Sequence, residues 1–352
     1  MRRLLVLAIA AATVLSAKSK KVVIMGMPDS LFGELRRAAP SGVKLVNVAR
    51  PGTSVDTVAI VADSPAAPRR EKLMKELADA NAIIGNPSMD MINAAPNLEW
   101  VQITSAGVKP YLYPDLVNSD VVMTNAQIMS SNAIADHGFA MLLTLTRRLH
   151  IFTPAREDEN WDRTNHNLEE LTNKTAVVIG TGGIGSAVAR RAKAFEMRVI
   201  GVDPEEFPPR PYFDEMVYPD RLDKVIPAAD VVFICAPHTK DSEGMFGASQ
   251  FDLMKKGSYF IALSRGKVYS MPGLVKALDS KRLSGAGVDV TEPEPLPKGH
   301  ALWKFSNAII TPHVATQGEG GTPNRMVLYK DNIARFAAGE KLRNVVDMHK
   351  EY

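Results

Sequence analysis

At 352 residues the chain is long enough for two domains with well-filled cores. Its 45% hydrophobic and 23% charged content is that of an ordinary soluble globular protein. The net charge of +3, to which Arg2 and Arg3 contribute, argues against nucleic-acid binding as its main business. One cysteine excludes an intrachain disulfide, and Cys235, inside the apolar run 231–236, reads as a buried core thiol.

Residues 1–18 join a positive start (Met1, Arg2, Arg3) to a short apolar run ending in small residues, with Lys18, Lys20 and Lys21 behind it. That is the pattern of a signal or targeting segment, too short to span a bilayer comfortably, although Leu15 occupies a place where a small residue is preferred. An uncleaved tail or a misplaced start is the competing reading. The address implied is secretory, periplasmic or an organelle, and cytoplasmic if the leader does not function.

Strands are expected over 21–25, 43–48, 82–85, 100–103 and 121–124, with helices over 30–39 and 67–80. Alternation of this kind implies a parallel sheet with helices on both faces. This first half carries no glycine fingerprint. One long apolar helix is expected over 134–149, followed by a polar connector holding Trp161.

The second half opens on TAVVIGTGGIGSAVARRAKAFEMRVIGVDP, residues 175–204. Its order is strand, Gly180-x-Gly182-x-x-Gly185, helix over 186–196, strand over 198–202, and then Asp203. This is the full context of a dinucleotide fingerprint. Gly180 makes the tight turn, Gly182 lets the backbone approach a pyrophosphate, and Gly185 lets helix and strand pack closely. The helix N-terminus offers free N–H groups to the phosphates. Asp203 is placed to accept from the ribose hydroxyls and to repel a 2′-phosphate; Glu205 and Glu206 add negative charge with no Arg nearby, which favours NAD over NADP. Further strands are expected over 231–234, 259–263, 285–289 and 308–311, helices over 249–256 and 272–283, and a last amphipathic helix over 323–338. No repeats or low-complexity segments appear.

Ligands of open α/β sheets lie outside the carboxyl ends of the strands. Those ends deliver Pro237, His238 and Thr239, then Ser264, Arg265 and Gly266, then Asp289, Glu292 and Glu294, and finally Pro312 and His313. Of the seven histidines, His313 is best placed for acid–base work. His137 reads as a packed helix residue, and surface solvation suffices for His150, His166, His300 and His349. His238 is expected to line the cofactor cleft, with no evident acid partner.

These residues carry a resemblance. Ser105-Ala106-Gly107-Val108, Asp136-His137, Gly180 to Gly185, Pro237 with Thr239, and Ser264-Arg265-Gly266 resemble the D-isomer-specific 2-hydroxyacid dehydrogenase family. So do Gly287 to Val290, Glu294-Pro295, Pro312-His313 and the tail 339–346. The resemblance implies two doubly wound parallel-sheet α/β domains, a Rossmann NAD-binding domain inserted in a flavodoxin-like substrate domain. The expected division is a targeting segment at 1–18, a substrate domain at 19–130 and 319–352, a linking helix and connector at 131–160, and the NAD-binding domain at 161–318. It further implies that Arg265 binds the substrate carboxylate and carbonyl, that His313 is the acid/base, and that Glu294 is its partner, with Glu292 the competing acid. Ser105, Ala106, Gly107 and Val108 would grip the carboxylate. NAD would lie on Gly180, Gly182, Gly183, Ile184, Gly185, Asp203, Pro237, Thr239, Leu263, Ser264, Arg265, Asp289 and His313, with Asp289 holding the nicotinamide carboxamide. No metal, no nucleic acid and no stable membrane span after leader removal are expected; a homodimer is.

The chemistry agrees with these roles. Reduction of a 2-keto acid places negative charge on the carbonyl oxygen, to which a protonated His313 can donate. A bidentate guanidinium suits a carboxylate better than an ammonium does. Departures from the family are Ala262 where an Asn is usual, Asp136 where Glu is commoner, and 314–318 (VATQG) in place of a glycine-serine turn. A formate-dehydrogenase-like relative is disfavoured by Glu294, where that branch resembles a Gln. A dinucleotide-sensing scaffold of the same fold is the second reading; the absence of long tails and the leader weigh against it. The leader itself sits uneasily with NAD, which is scarce outside the cytoplasm.

Overall fold

The computed structural model describes residues 19–48, 67–161, 163, 167–205 and 211–352. The leader, Glu206 and His166 lie outside the described residues. In chain order the elements are β1 (Lys20–Met25), α1 (Asp29–Ala38), β2 (Val43–Val48), α2 (Ala67–Leu77), β3 (Ala82–Ile84), α3 (Met89–Asn93), β4 (Trp100–Gln102), α4 (Pro114–Val117) and β5 (Val122–Thr124). Then come α5 (Ser131–Thr146), α6 (Leu149–Ala155), β6 (Thr175–Ile179), α7 (Gly183–Ala194), β7 (Arg198–Val202), β8 (Glu215–Val217) and α8 (Leu222–Val225). The chain continues through β9 (Val231–Ile234), α9 (Ala248–Leu253), β10 (Ser258–Ala262), α10 (Met271–Asp279), β11 (Leu283–Val288), β12 (Ala308–Ile310) and α11 (Gly321–Ala338).

Two sheets result. The first has the order β2-β1-β3-β4-β5 and the second β12-β11-β10-β9-β6-β7-β8. Every strand pair of the second sheet is parallel. By contacts the chain divides into Met1–Gln102 with Lys330–Leu342, and Ile103–Tyr329 with Arg343–Tyr352.

The first unit packs Val23, Val48, Leu73, Leu77 and Ile83 into one apolar cluster. Buried Lys21 is tolerated there because it pairs with Glu76 (2.8 Å) and Asp79. The later part of α11 joins this unit: Phe336 lies 5.2 Å from the buried Trp100 ring, and Asn332 Nδ2 donates to Gln102 Oε1 at 3.1 Å.

The second unit explains why its strands read as unbroken apolar runs. Along β6, Ala176 and Val178 face the cluster built on α5 and α7, while Val177 and Ile179 face the one built on α9 and α10. Both faces are covered, so neither needs polar residues. Glycines bring α5 close: a Cβ on Gly285 or Gly287 would stand 2.8 Å from Leu145 Cδ2 or Met141 Cβ.

The expected long helix is two. Arg148 adopts a left-handed conformation (φ 57°) between α5 and α6. The Arg147 and Arg148 guanidinium groups donate to the carbonyls of Glu169 and Asn167, both at 3.4 Å, so the turn is held from outside the helix. β8 is the strand that the sequence pattern did not announce. It is a three-residue edge strand with Met216 exposed, and carries no apolar run to read.

Candidate active site

The cleft of the second unit opens where strand order reverses, between β6 and β9, with β7 on the far side of β6. Gly180 leaves β6 with φ 85°, and a Cβ there would stand 2.4 Å from the backbone N and Cα of Ala236, just beyond β9. Only glycine fits. A Cβ on Gly185 would meet the Gly180 carbonyl oxygen at 1.9 Å, so helix and turn touch through backbone. Gly182 is different: nothing lies within 4 Å of its would-be Cβ. That open cradle, with the uncapped start of α7 beside it, fits a dinucleotide pyrophosphate.

Asp203 follows β7 and is buried. Its Oδ2 accepts from Thr181 N (2.7 Å) and Thr181 Oγ1 (3.0 Å), and its Oδ1 from Glu205 N (3.1 Å). The acid therefore braces the glycine turn as well as facing the cleft. Beyond β9, Thr239 and Ser242 bond each other through Thr239 N to Ser242 Oγ (2.8 Å) and Ser242 N to Thr239 Oγ1 (3.2 Å), and Ser242 Oγ also reaches Pro237 O. His238 does have an acid partner. Its Nε2 lies 2.9 Å from Glu243 Oε2, five residues on, where the turn after Thr239 brings the chain back.

Arg265 extends from the loop after β10 and its Nη1 donates to Ser264 O at 2.7 Å. Burial pulls the guanidinium down from its usual range, and the charge of Glu294 pulls it back. Gly266 lets this loop press on the next: a Cβ there would be 2.0 Å from Thr291 O. A Cβ on Gly107 would stand 2.2 Å from Arg265 Nη2, so the Ser105 to Val108 loop does lie against the guanidinium. Asn125 Nδ2 holds that loop through Ala106 O (2.8 Å), and Ser105 Oγ donates to Gly107 O (2.8 Å).

His313 follows β12 in a left-handed conformation (φ 53°). Asp289, at the end of β11, holds it there: Asp289 O accepts from His313 N (2.9 Å), Oδ1 from Val314 N (2.9 Å), and Oδ2 from Ala315 N (3.0 Å). Thr311 Oγ1 donates to Asp289 Oδ1 at 2.6 Å, which leaves it to accept from His137 Nε2 at 2.9 Å. His137 thus joins the site from α5. The substituted segment after His313 keeps the two amides that matter here. His313 Nδ1 meets Glu294 Oε1 at 2.6 Å; Glu294, not Glu292, is its partner. A ring that donates through Nδ1 to a carboxylate presents Nε2 for proton transfer.

Asp136 turns away and pairs with Arg191 of α7 at 2.7 Å, so the change from Glu falls outside the site. Ala262 is fully buried in β10, and Cys235 is buried with its thiol pushed upward by desolvation.

A dinucleotide cradle and a His–Glu–Arg set on one sheet define a pyridine-nucleotide-linked dehydrogenase. The family profile of the D-isomer specific 2-hydroxyacid dehydrogenase NAD-binding domain matches residues 139–315. The glyoxylate reductase of Thermofilum pendens is 31% identical over 285 residues, which cover 78% of this chain and 83% of that protein. The chain belongs to the D-isomer-specific 2-hydroxyacid dehydrogenases. The fold matches a family member from Xanthobacter autotrophicus in complex with NADPH (TM-score 0.76, 23% identity, covering 95% of this chain and 100% of that one). It also matches the D-lactate dehydrogenase of Aquifex aeolicus complexed with NAD and lactic acid (TM-score 0.70, 24% identity, covering 93% and 99%).

Proposed function

We propose that the protein reduces a small 2-keto acid to the D-2-hydroxy acid, or runs the reverse reaction, with NAD as the favoured cofactor. The observation that carries this is the 2.6 Å His313–Glu294 pair, on the same sheet edge as Arg265 and the Gly182 cradle. Bound NADH would supply the hydride to the carbonyl carbon. The turn from Gly180 to Gly185 and the start of α7 would hold its pyrophosphate, and Asp203 its ribose. Pro237, Thr239, Leu263, Ser264 and Asp289 would line its path. Arg265, backed by the Ser105 to Val108 loop, would bind the carboxylate through two parallel N–H donors. His313 Nε2 would give its proton to the carbonyl oxygen as charge builds there, and Glu294, 2.6 Å from Nδ1, would fix the tautomer and orientation of the ring.

The assembly proposed is a homodimer. Ile128, Leu149, Ile151, Trp161 and Leu168 flank or lie on α5 and α6 as exposed large apolar side chains, with Trp161 89% exposed. A second copy would cover them. Residues 1–18 are proposed to direct the chain out of the cytoplasm or into an organelle, which the mass of the mature protein and cell fractionation would test.

The activity test follows NADH and NADPH oxidation with glyoxylate, hydroxypyruvate, pyruvate and bulkier 2-keto acids, beside a His313→Ala control. Turnover that collapses in the control supports the reading. Dinucleotide binding with no turnover on any acid would overturn it in favour of a sensing scaffold.

A further inference from the structure

Read along the chain, Glu205 and Glu206 add negative charge just beyond Asp203, and the next cation in sequence, Arg210, comes only five residues after Glu205. The fold supplies another from 145 positions away. Past α11, Val345 bridges Thr124 in antiparallel fashion and Val346 N donates to Met123 O at 2.9 Å, so the closing stretch runs along β5. Residues 347–352 then form a compact turn. Asp347 N donates to Tyr352 O (2.9 Å), Tyr352 N to Asp347 O (3.3 Å), and Asp347 Oδ1 accepts from the amides of His349 and Lys350, both at 3.1 Å.

The turn is fastened at both sides of the cleft. Lys350 Nζ (2.6 Å) and Tyr352 Oη (2.7 Å) donate to the same oxygen, Glu205 Oε1, beyond β7. Glu351 Oε2 accepts from Lys240 N (3.0 Å) beyond β9 and lies 3.7 Å from Lys109 Nζ. β7 and β9 are the two neighbours of β6, the strand that carries the glycine turn. Residues 347–352 therefore straddle the edge of the cleft at which Asp203 stands.

We propose that this closing turn sets the choice between the two nicotinamide dinucleotides. Lys350 and Tyr352 neutralise Glu205 and bring a cation to the edge where NADP would carry its 2′-phosphate. The inference rests on the reading that Asp203 marks the ribose end of a dinucleotide site. With Glu205 unpaired, two carboxylates would face a 2′-phosphate, and repulsion would enforce NAD. With Glu205 paired, one fewer free carboxylate opposes it, and the Asp203 carboxylate is already engaged by Thr181 and Glu205 N. A 2′-phosphate and Glu205 would compete for the same two donors. The tail thus moderates the preference for NAD that the acidic loop alone implies.

The test titrates the full-length chain with NADH and with NADPH, following nicotinamide fluorescence, at low and at high salt. Lys350→Ala is expected to weaken NADPH about tenfold relative to NADH, on the order expected for removing one partly screened charge contact. Glu205→Gln is expected to shift the ratio toward NADPH by a similar factor, and Tyr352→Phe to act in the direction of Lys350→Ala but less. All three shifts should shrink at high salt, because the pair is solvent-exposed. A ratio within twofold of wild type in both Lys350→Ala and Glu205→Gln would overturn the proposal. So would parallel weakening of both dinucleotides, which would make the turn a cover and not a reader of the 2′ position. A wild-type chain that binds neither would refute the underlying reading of the fingerprint itself.

Discussion

At the scale of single residues, the proposed roles separate binding from proton transfer, so each is expected to be removable without the other. His313→Ala should lower kcat about 10²–10⁴-fold, the range of a general acid/base, while NADH affinity measured by fluorescence stays within about twofold. Arg265→Lys keeps the charge and loses the planar fork; KM for the keto acid should rise at least about tenfold, with kcat falling less. If KM is unchanged, Arg265 does not hold the carboxylate. The placement of Arg265, Glu294 and His313 was legible from the chain: they stand at strand ends, and strand ends are where such sheets bind ligands. Less legible were the partners that place them. His238 finds Glu243 through a tight turn, and His137 reaches Thr311 across 174 positions. Asp289 spends its carboxylate on the amides of Val314 and Ala315, bonds that exist only once two strand-end loops are side by side.

At the scale of elements, the glycine turn makes a prediction that composition cannot. Gly180→Ala must force a Cβ into the Ala236 backbone at a positive φ, so it should cost several °C of Tm or prevent folding. Gly182→Ala meets open space and should leave Tm within about 1 °C, yet the methyl would stand where the pyrophosphate approaches, so NADH binding should fall at least about tenfold. Equal losses of stability in both would show that Gly182 is a fold residue. At the opposite end of α7 from this turn, Asp214 ties β7 to the helix: its carboxylate accepts from Val199 N at 2.7 Å and from Lys193 Nζ at 2.9 Å. The Val199 N–H foremost, and then Lys193 against a desolvation penalty, hold Asp214 below the usual carboxylate range. A depressed acid stabilises the fold above its unfolded pKa, near pH 4, and loses that contribution as pH falls through the folded value. Asp214→Asn should therefore lower Tm at pH 7 by about 1–3 °C, a small effect because the side chain is 40% exposed, and the gap to wild type should narrow steadily as pH falls below about 4. A gap that persists in acid would assign the loss to packing instead.

At the scale of the whole molecule, the exposed apolar side chains on α6 and in the segments flanking α5 and α6 make the proposed homodimer testable. Light scattering should give twice the chain mass, and Leu149→Asp with Ile151→Asp should halve it; a wild-type monomer at micromolar concentration would remove the dimer from the proposal. Among the described residues no helix is long and apolar enough to cross a membrane. What the amino-acid sequence determined by itself was local and periodic. Apolar runs of strand length, the glycine spacing and the acid after β7 depend on neighbours a few residues away, so they read directly as two parallel α/β sheets and a dinucleotide turn. Tertiary structure alone decided that Glu294 and not the competing Glu292 sits against His313, a pairing only the motif register had favoured, why the helix breaks at Arg148 between α5 and α6, and how Asp289 holds a left-handed His313. It also brought Lys350 and Tyr352 to Glu205. Each of these joins residues far apart in the chain, and a contact of that kind is fixed by the packing of whole elements, which no local pattern encodes.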